Sequence, residues 1–233
     1  MAVLPGPASE DPIAGEQAAL RRVATLVARG GPPEEVFAAV TEEAARLLDA
    51  DYAAMARYDL EGARTVVGAW TSAGPTLPVG AQARLGGRNV ATLVFQTGRA
   101  ARIDDHAGAA GSIGEVVREF GIRAAVGVPV SVEARLWGVM IVGSHAGPLP
   151  ADAEAQLAGF TELAGTAIAN AQARVELRGF AEEQAALRRV ATLVAHAAPP
   201  AEVLTAVTAE AGRLLHADRR AVPEPAEGVG DRT

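Results

Sequence analysis

The chain has 233 residues, with 21 basic against 28 acidic side chains and a formal charge of −7, the balance of a soluble acidic protein and not of a nucleic-acid binder. All 21 cations are arginine, and lysine and cysteine are both absent. That excludes P-loop, Schiff-base and lysine-base chemistry, disulfides, thiolate nucleophiles, Cys-ligated zinc and thioether-bound chromophores.

Residues 1–15, MAVLPGPASEDPIAG, read as a disordered leader without the basic start of an export signal. No apolar run approaches the ~20 residues of a spanning helix, so the expectation is a cytoplasmic protein with no membrane partner. Leu20, Val23, Ala24 and Val27 then fall at helical spacing. GGPP ends that helix, and Pro33, Glu34 and Glu35 open the next, with Val36, Val40, Ala44 and Leu47 as its apolar stripe. From residue 51 to 71 the period changes to that of a β-hairpin turning at Asp59 and Gly62. RNVATLVFQTG reads as a helix stopped by Gly98, AARID as a short strand, and SIGEVVREFGI as a helix capped by Ser112. AVGVPVSV and LWGVMIVG form a second hairpin around Glu133 and Arg135, in which Pro129 requires an edge or a bulge.

The last helix has no proline from Asp152 to His196, which at 1.5 Å per residue is roughly 68 Å if unbroken. Its stripe is Leu157, Phe160, Ala164, Ile168, Ala171 and Val175, with Gly179 as the expected break. The first half should cover the sheet and the rest project toward a partner. The whole is an α+β pattern around an antiparallel sheet.

A repeat crosses this order. EQAALRRVATLVARGGPPEEVFAAVTEEAARLLDAD, Glu16 to Asp51, recurs as EQAALRRVATLVAHAAPPAEVLTAVTAEAGRLLHAD, Glu183 to Asp218, with 27 of 36 positions identical. Beyond Asp218 the second copy reads DRRAVPEPAEGVGDRT without its Asp51–Trp70 counterpart's alternation. The expected organisation is therefore a complete domain over 16–178, a linker helix and the first two helices of a truncated second domain over 179–218, and a disordered tail over 219–233. A frameshift, a false gene end or an imposed chain boundary would each produce that ending.

RNVATLVFQTGRAARIDD, GIRAAVGVPVSVEARLWGVMIVGS and the closing FTELAGTAIANAQARVEL resemble a GAF domain. The resemblance implies a GAF/PAS-like central antiparallel sheet, with the first and last helices on one face and any ligand pocket on the other, under the connecting helices. It also implies a non-catalytic sensor module. Two copies joined by a long helix are similar to the input region of actinobacterial sensor histidine kinases, although no phosphoacceptor histidine followed by an acid and no ATP-binding region is present. A homodimer through the long helices is implied as well. The alternative is a ligand-free dimerisation module.

No catalytic residue or metal site is expected. Asp104-Asp105-His106 reads as a solvated turn, His145 as a surface histidine and not a heme ligand, and His196 and His216 as exposed, since they replace Arg29 and Asp49 of the first copy. Ser112 in AGSIG is better placed to cap a helix than to act as a nucleophile, although backbone N–H groups there could meet an anion. Covalent bilin is excluded by the absent cysteines, no cofactor is required, and the cyclic-nucleotide signature cannot be complete without lysine. The expected pocket is Met55, Trp70, Phe95, Ile103, Ser112, Val116 and Val126, with ordinary core as the plainer reading of each.

Overall fold

Small and β-branched residues alternating over 52–71 and 124–144 give four strands, and two short polar strands extend them into one antiparallel sheet. The computed structural model describes residues 12–106, 111–196 and 199–221. Their elements in order are α1 (Pro12–Ala28), α2 (Pro33–Leu47), β1 (Tyr52–Tyr58), β2 (Ala63–Thr71), β3 (Gln82–Arg84), α3 (Val90–Thr97), β4 (Ala101–Ile103), α4 (Gly111–Glu119), β5 (Ala124–Val132), β6 (Arg135–Ser144), α5 (Ala153–Ala195) and α6 (Pro200–Ala221). The sheet order is β3-β2-β1-β6-β5-β4. This is the α+β arrangement anticipated, with β3 added. The chain divides into two units at Ala171 and Gln172.

In the first unit each sheet face has its own core. Ala53 and Met55 of β1, Val126, Val128 and Val130 of β5, and Met140 and Val142 of β6 face α1, α2 and the first half of α5. Their neighbours Tyr52, Ala54, Ala56, Ala125, Val139 and Ile141 face α3 and α4. The split follows from the two-residue period of strands. Leu157, Phe160, Ala164 and Ile168 continue the first core along α5, each large side chain contributing about 1.5–3 kcal/mol by burial. Val175, further along the expected stripe, is exposed.

Local chemistry sets the boundaries. Pro33 begins α2, and Asp59 accepts hydrogen bonds from the Glu61 and Ala63 amides, closing the β1–β2 turn. Asn89 caps α3 by accepting from the Thr92 amide at 2.9 Å, and Gly98, left-handed at φ 65°, ends it. Pro129 lies beyond the short reach of β4, where β5 has only β6 beside it, and a register shift follows at Val130/Ser131. The β5–β6 turn is Glu133-Ala134, both at positive φ, so Arg135 belongs to β6. Arg102 of β4 holds the start of α5: its guanidinium donates to both Glu154 oxygens at 2.8 and 2.6 Å and to the Leu149 and Pro150 carbonyls.

Four expectations differ from the structure. α1 already begins at Pro12, inside the presumed leader, of which residues 1–11 lie outside the described residues. Ser112 does not cap α4: the helix begins at Gly111, and the Ser112 hydroxyl donates instead to the Arg84 carbonyl at 3.2 Å. Gly179 does not break α5, which runs on to Ala195, because one glycine costs a helix only about 1 kcal/mol. Of the expected tail, 222–233 lies outside the described residues, and α6 covers 219–221.

The second unit holds the end of α5 and α6. Its helices end and begin at Ala195 and Pro200, the repeat equivalents of Ala28 and Pro33. Arg189 donates to both oxygens of Glu210 at 2.7 Å, as the equivalent Arg22 does to Glu43 at 2.6 Å in the first unit.

Candidate functional site

Helices α3 and α4 lie across a sheet face paved with small residues, Ala54, Ala56, Ala125 and Gly127. Between that face and the helices is a cavity of about 30 Å³. Tyr52 and Ile141 line its floor, Val90, Val116 and Val117 its helical side, and Arg64 and His106 supply its charge and polarity. The lining is otherwise mainly apolar.

Arg64 comes from β2, on the same strand parity as Val66, and is 3% exposed. Its buried Nε has no hydrogen-bond partner, and burial lowers its pKa, with the nearby Tyr52 and Tyr58 hydroxyls raising it in part. Burial in turn pushes Tyr52 up to about 12 and Tyr58 higher still, Arg64 opposing both. The Tyr58 hydroxyl donates to the Ala91 carbonyl at 2.7 Å.

His106 is 5% exposed and anchored at both its amide and its ring to the Arg123 carbonyl, at 2.9 and 3.2 Å. A carbonyl oxygen only accepts, so Nδ1 carries the hydrogen of the neutral ring. Nε2 is then a lone pair, buried and without a partner. Desolvation lowers the His106 pKa, Arg88 adds to that, and the Arg123 carbonyl and Asp105 oppose it. Among the described residues, Arg64 Nε and His106 Nε2 are the buried side-chain nitrogens or oxygens left unbonded.

A second crevice, of about 120 Å³, lies beside Tyr52, Glu119, Phe120 and His145. His145 is partly exposed; its amide donates to Asp51, whose carboxylate stands 3.8 Å from the ring. No group of three metal-ligating side chains occurs among the described residues, and no helix among them is long and apolar enough to cross a membrane. In the Asp104-Asp105-His106 segment the acids are exposed while the histidine turns inward. His196 is exposed, its ring 2.8 Å from the Thr192 carbonyl; the His216 side chain lies outside the described ones.

Of the pocket residues expected from sequence, Val116 lines the cavity and Ile103 is buried in the same core. Phe95 is partly exposed on α3, edge-on to Tyr58 at 5.0 Å. Ser112 is exposed at the start of α4. Met55, Trp70 and Val126 belong to the opposite core, one residue out of phase with the pocket-facing Ala54, Ala69 and Ala125. Arg64 and His106 were not among the expected residues. The signal for Arg64 was its place two residues before Val66, legible only once the buried face of β2 is known.

A GAF domain family model matches residues 32–168. The phycocyanobilin-bound GAF domain of a cyanobacterial phytochrome is 17% identical, with TM-score 0.57 over 68% of this chain and 96% of that one. The GAF domain of an Acinetobacter phosphoenolpyruvate-protein phosphotransferase is 18% identical, with TM-score 0.54 over 68% and 95%. The photosensory core module of Stigmatella aurantiaca phytochrome is 16% identical, with TM-score 0.60 over 93% of this chain and 47% of that one, so the chain spans about half its length. At these identities the likeness is one of fold. No curated protein sequence matches significantly.

Proposed function

The chain belongs to the GAF domain family, and on that premise we propose that it is a non-catalytic sensory module, whose cavity beneath α3 and α4 takes a small molecule and whose last helix carries the response onward. The observation supporting this reading most is the cavity itself: it sits on the face left free by α1, α2 and α5, with two buried nitrogens unbonded. Occupancy would act on α3, α4 and β5; β5 shares a core with α5, which continues without interruption from Ala153 to Ala195. A two-component sensor kinase, with this chain as input and the kinase core elsewhere, is the pathway class this reading favours. A homodimer through α5 would suit it.

The bilins of the phytochrome relatives do not fit here. Thioether attachment needs a cysteine the chain lacks, and a cavity of about 30 Å³ has no room for a tetrapyrrole. That small volume is also what favours the second reading, a ligand-free dimerisation module. Thermal denaturation of the chain against a panel of nucleotides, heme and small organic acids tests the first. A dose-dependent rise in Tm supports it, and a flat response across the panel counts against it. Light scattering tests the second, which a monomer at tens of micromolar would exclude.

A further inference from the structure

The chemistry of the cavity narrows what it can take. A buried guanidinium facing an apolar lining is costly unless an acceptor completes it. Arg102, Arg22 and Arg189 each have a bidentate carboxylate, whereas no carboxylate among the described residues pairs with Arg64. His106 offers a second unbonded nitrogen to the same space. A cavity of about 30 Å³ holds one or two waters, far below the roughly 150 Å³ that admits benzene. Charge therefore calls for an anion, and volume limits it to a few heavy atoms.

We propose that the cavity binds a one-carbon carboxylate, formate, in place of the one or two waters it has room for, with its oxygens on the Arg64 guanidinium and a second contact at His106 Nε2. The inference rests on reading this cavity as the sensory site. The planar carboxylate matches the fork of the guanidinium, and the C–H edge of formate suits the apolar lining. A proton taken up by His106 on binding would turn its lone pair into a second donor. The groups bearing on that ring are Arg88, Asp105 and the Arg123 carbonyl on its own side, and Arg64 and Tyr52 across the cavity.

The test uses the full chain, with sodium formate and acetate titrated against sodium chloride at matched ionic strength and against the neutral isosteres formamide and acetamide. Saturable stabilisation by formate and not by formamide is expected, with acetate weaker for want of room, and with the formate Kd raised at least about tenfold in Arg64→Gln and less in His106→Gln. Amides binding as well as acids, or Arg64→Gln keeping the wild-type Kd, would overturn the carboxylate assignment while leaving a ligand cavity in place. Should none of these bind while the wider panel does, the carboxylate assignment falls alone; if nothing binds at all, the sensory reading falls with it. The acid-against-amide comparison needs no variant, so it decides the matter even where Arg64→Gln does not fold.

Discussion

The two copies of the repeat make a natural experiment within one chain. Arg22–Glu43 and Arg189–Glu210 form the same bidentate ion pair, and Ala19 and Ala186 are both buried. The outward-facing apolar stripe differs completely. Phe37 and Val40 are 5% and 0% exposed, while their equivalents Leu204 and Val207 are 67% and 44% exposed. The hairpin of helices is thus specified within the 36-residue unit, by proline start, ion pair and alanine seam. Burial of its stripe in the first copy is supplied by β1, β2 and β6, and among the described residues no strand follows the second copy. Similar sequence fixes local geometry, and the stability of the element depends on what lies across from it.

Four measurements would sharpen or break this contrast. The largest effect is expected at the stripe. Phe37→Ala, which strips a ring packed 5.7 Å from Trp137, should cost about 3–5 kcal/mol in urea unfolding, and Leu204→Ala no more than about 0.5. Comparable losses would mean that the second stripe is buried in solution. Next is the clamp between β4 and α5 in the first unit. Arg102→Ala leaves Glu154 and two carbonyls without their donor and should cost about 1–2 kcal/mol, discounted for the partial exposure of the pair.

Acid should act on the same unit more gently. His106, lowered by desolvation, favours its neutral form in the fold, so its contribution is present above the ordinary histidine value and is lost as pH falls through the lowered one. Glu154, lowered by the Arg102 hydrogen bond, contributes above the ordinary glutamate value and loses that as pH falls further. Stability of the first unit should decline in two stages below about pH 6.5, read by fluorescence of Trp70 and Trp137. A midpoint unchanged from about pH 7 to 4.5 would contradict the His106 assignment, and one unchanged below about pH 4.5 the Glu154 assignment. The smallest effect belongs to the shared ion pairs: double-mutant cycles on Arg22/Glu43 and Arg189/Glu210 should return similar couplings. Divergent values would show that the sheet strengthens the first pair.

Much of this fold is readable in the sequence because strand alternation, Pro33, Asp59, Gly62 and Gly98 act locally. β3 is not, since Gln82–Arg84 is short and polar and exists only through pairing with β2. The cavity is largely illegible for a different reason. Period-two patterning says that Met55 and Ala54 point opposite ways, yet both faces of this sheet are buried, so hydrophobicity cannot say which is which. A search for large residues selects Met55, Trp70 and Val126, whereas the cavity exists where residues are small. Arg64 and His106 matter through a buried nitrogen each that is left unbonded, a property that composition does not carry.

Gly127 has one more consequence. A methyl placed there would meet Val90 Cβ at 3.1 Å and Val94 Cγ2 at 3.3 Å, so the absence of a side chain lets α3 rest almost on the backbone of β5. Residue 127 is therefore a shim beneath the roof. Alanine or valine there would press α3 away from the sheet and raise the ceiling, with Arg64 and His106 unchanged. The height of the cavity is thus set from a position outside its lining, separately from the residues that give it charge and polarity.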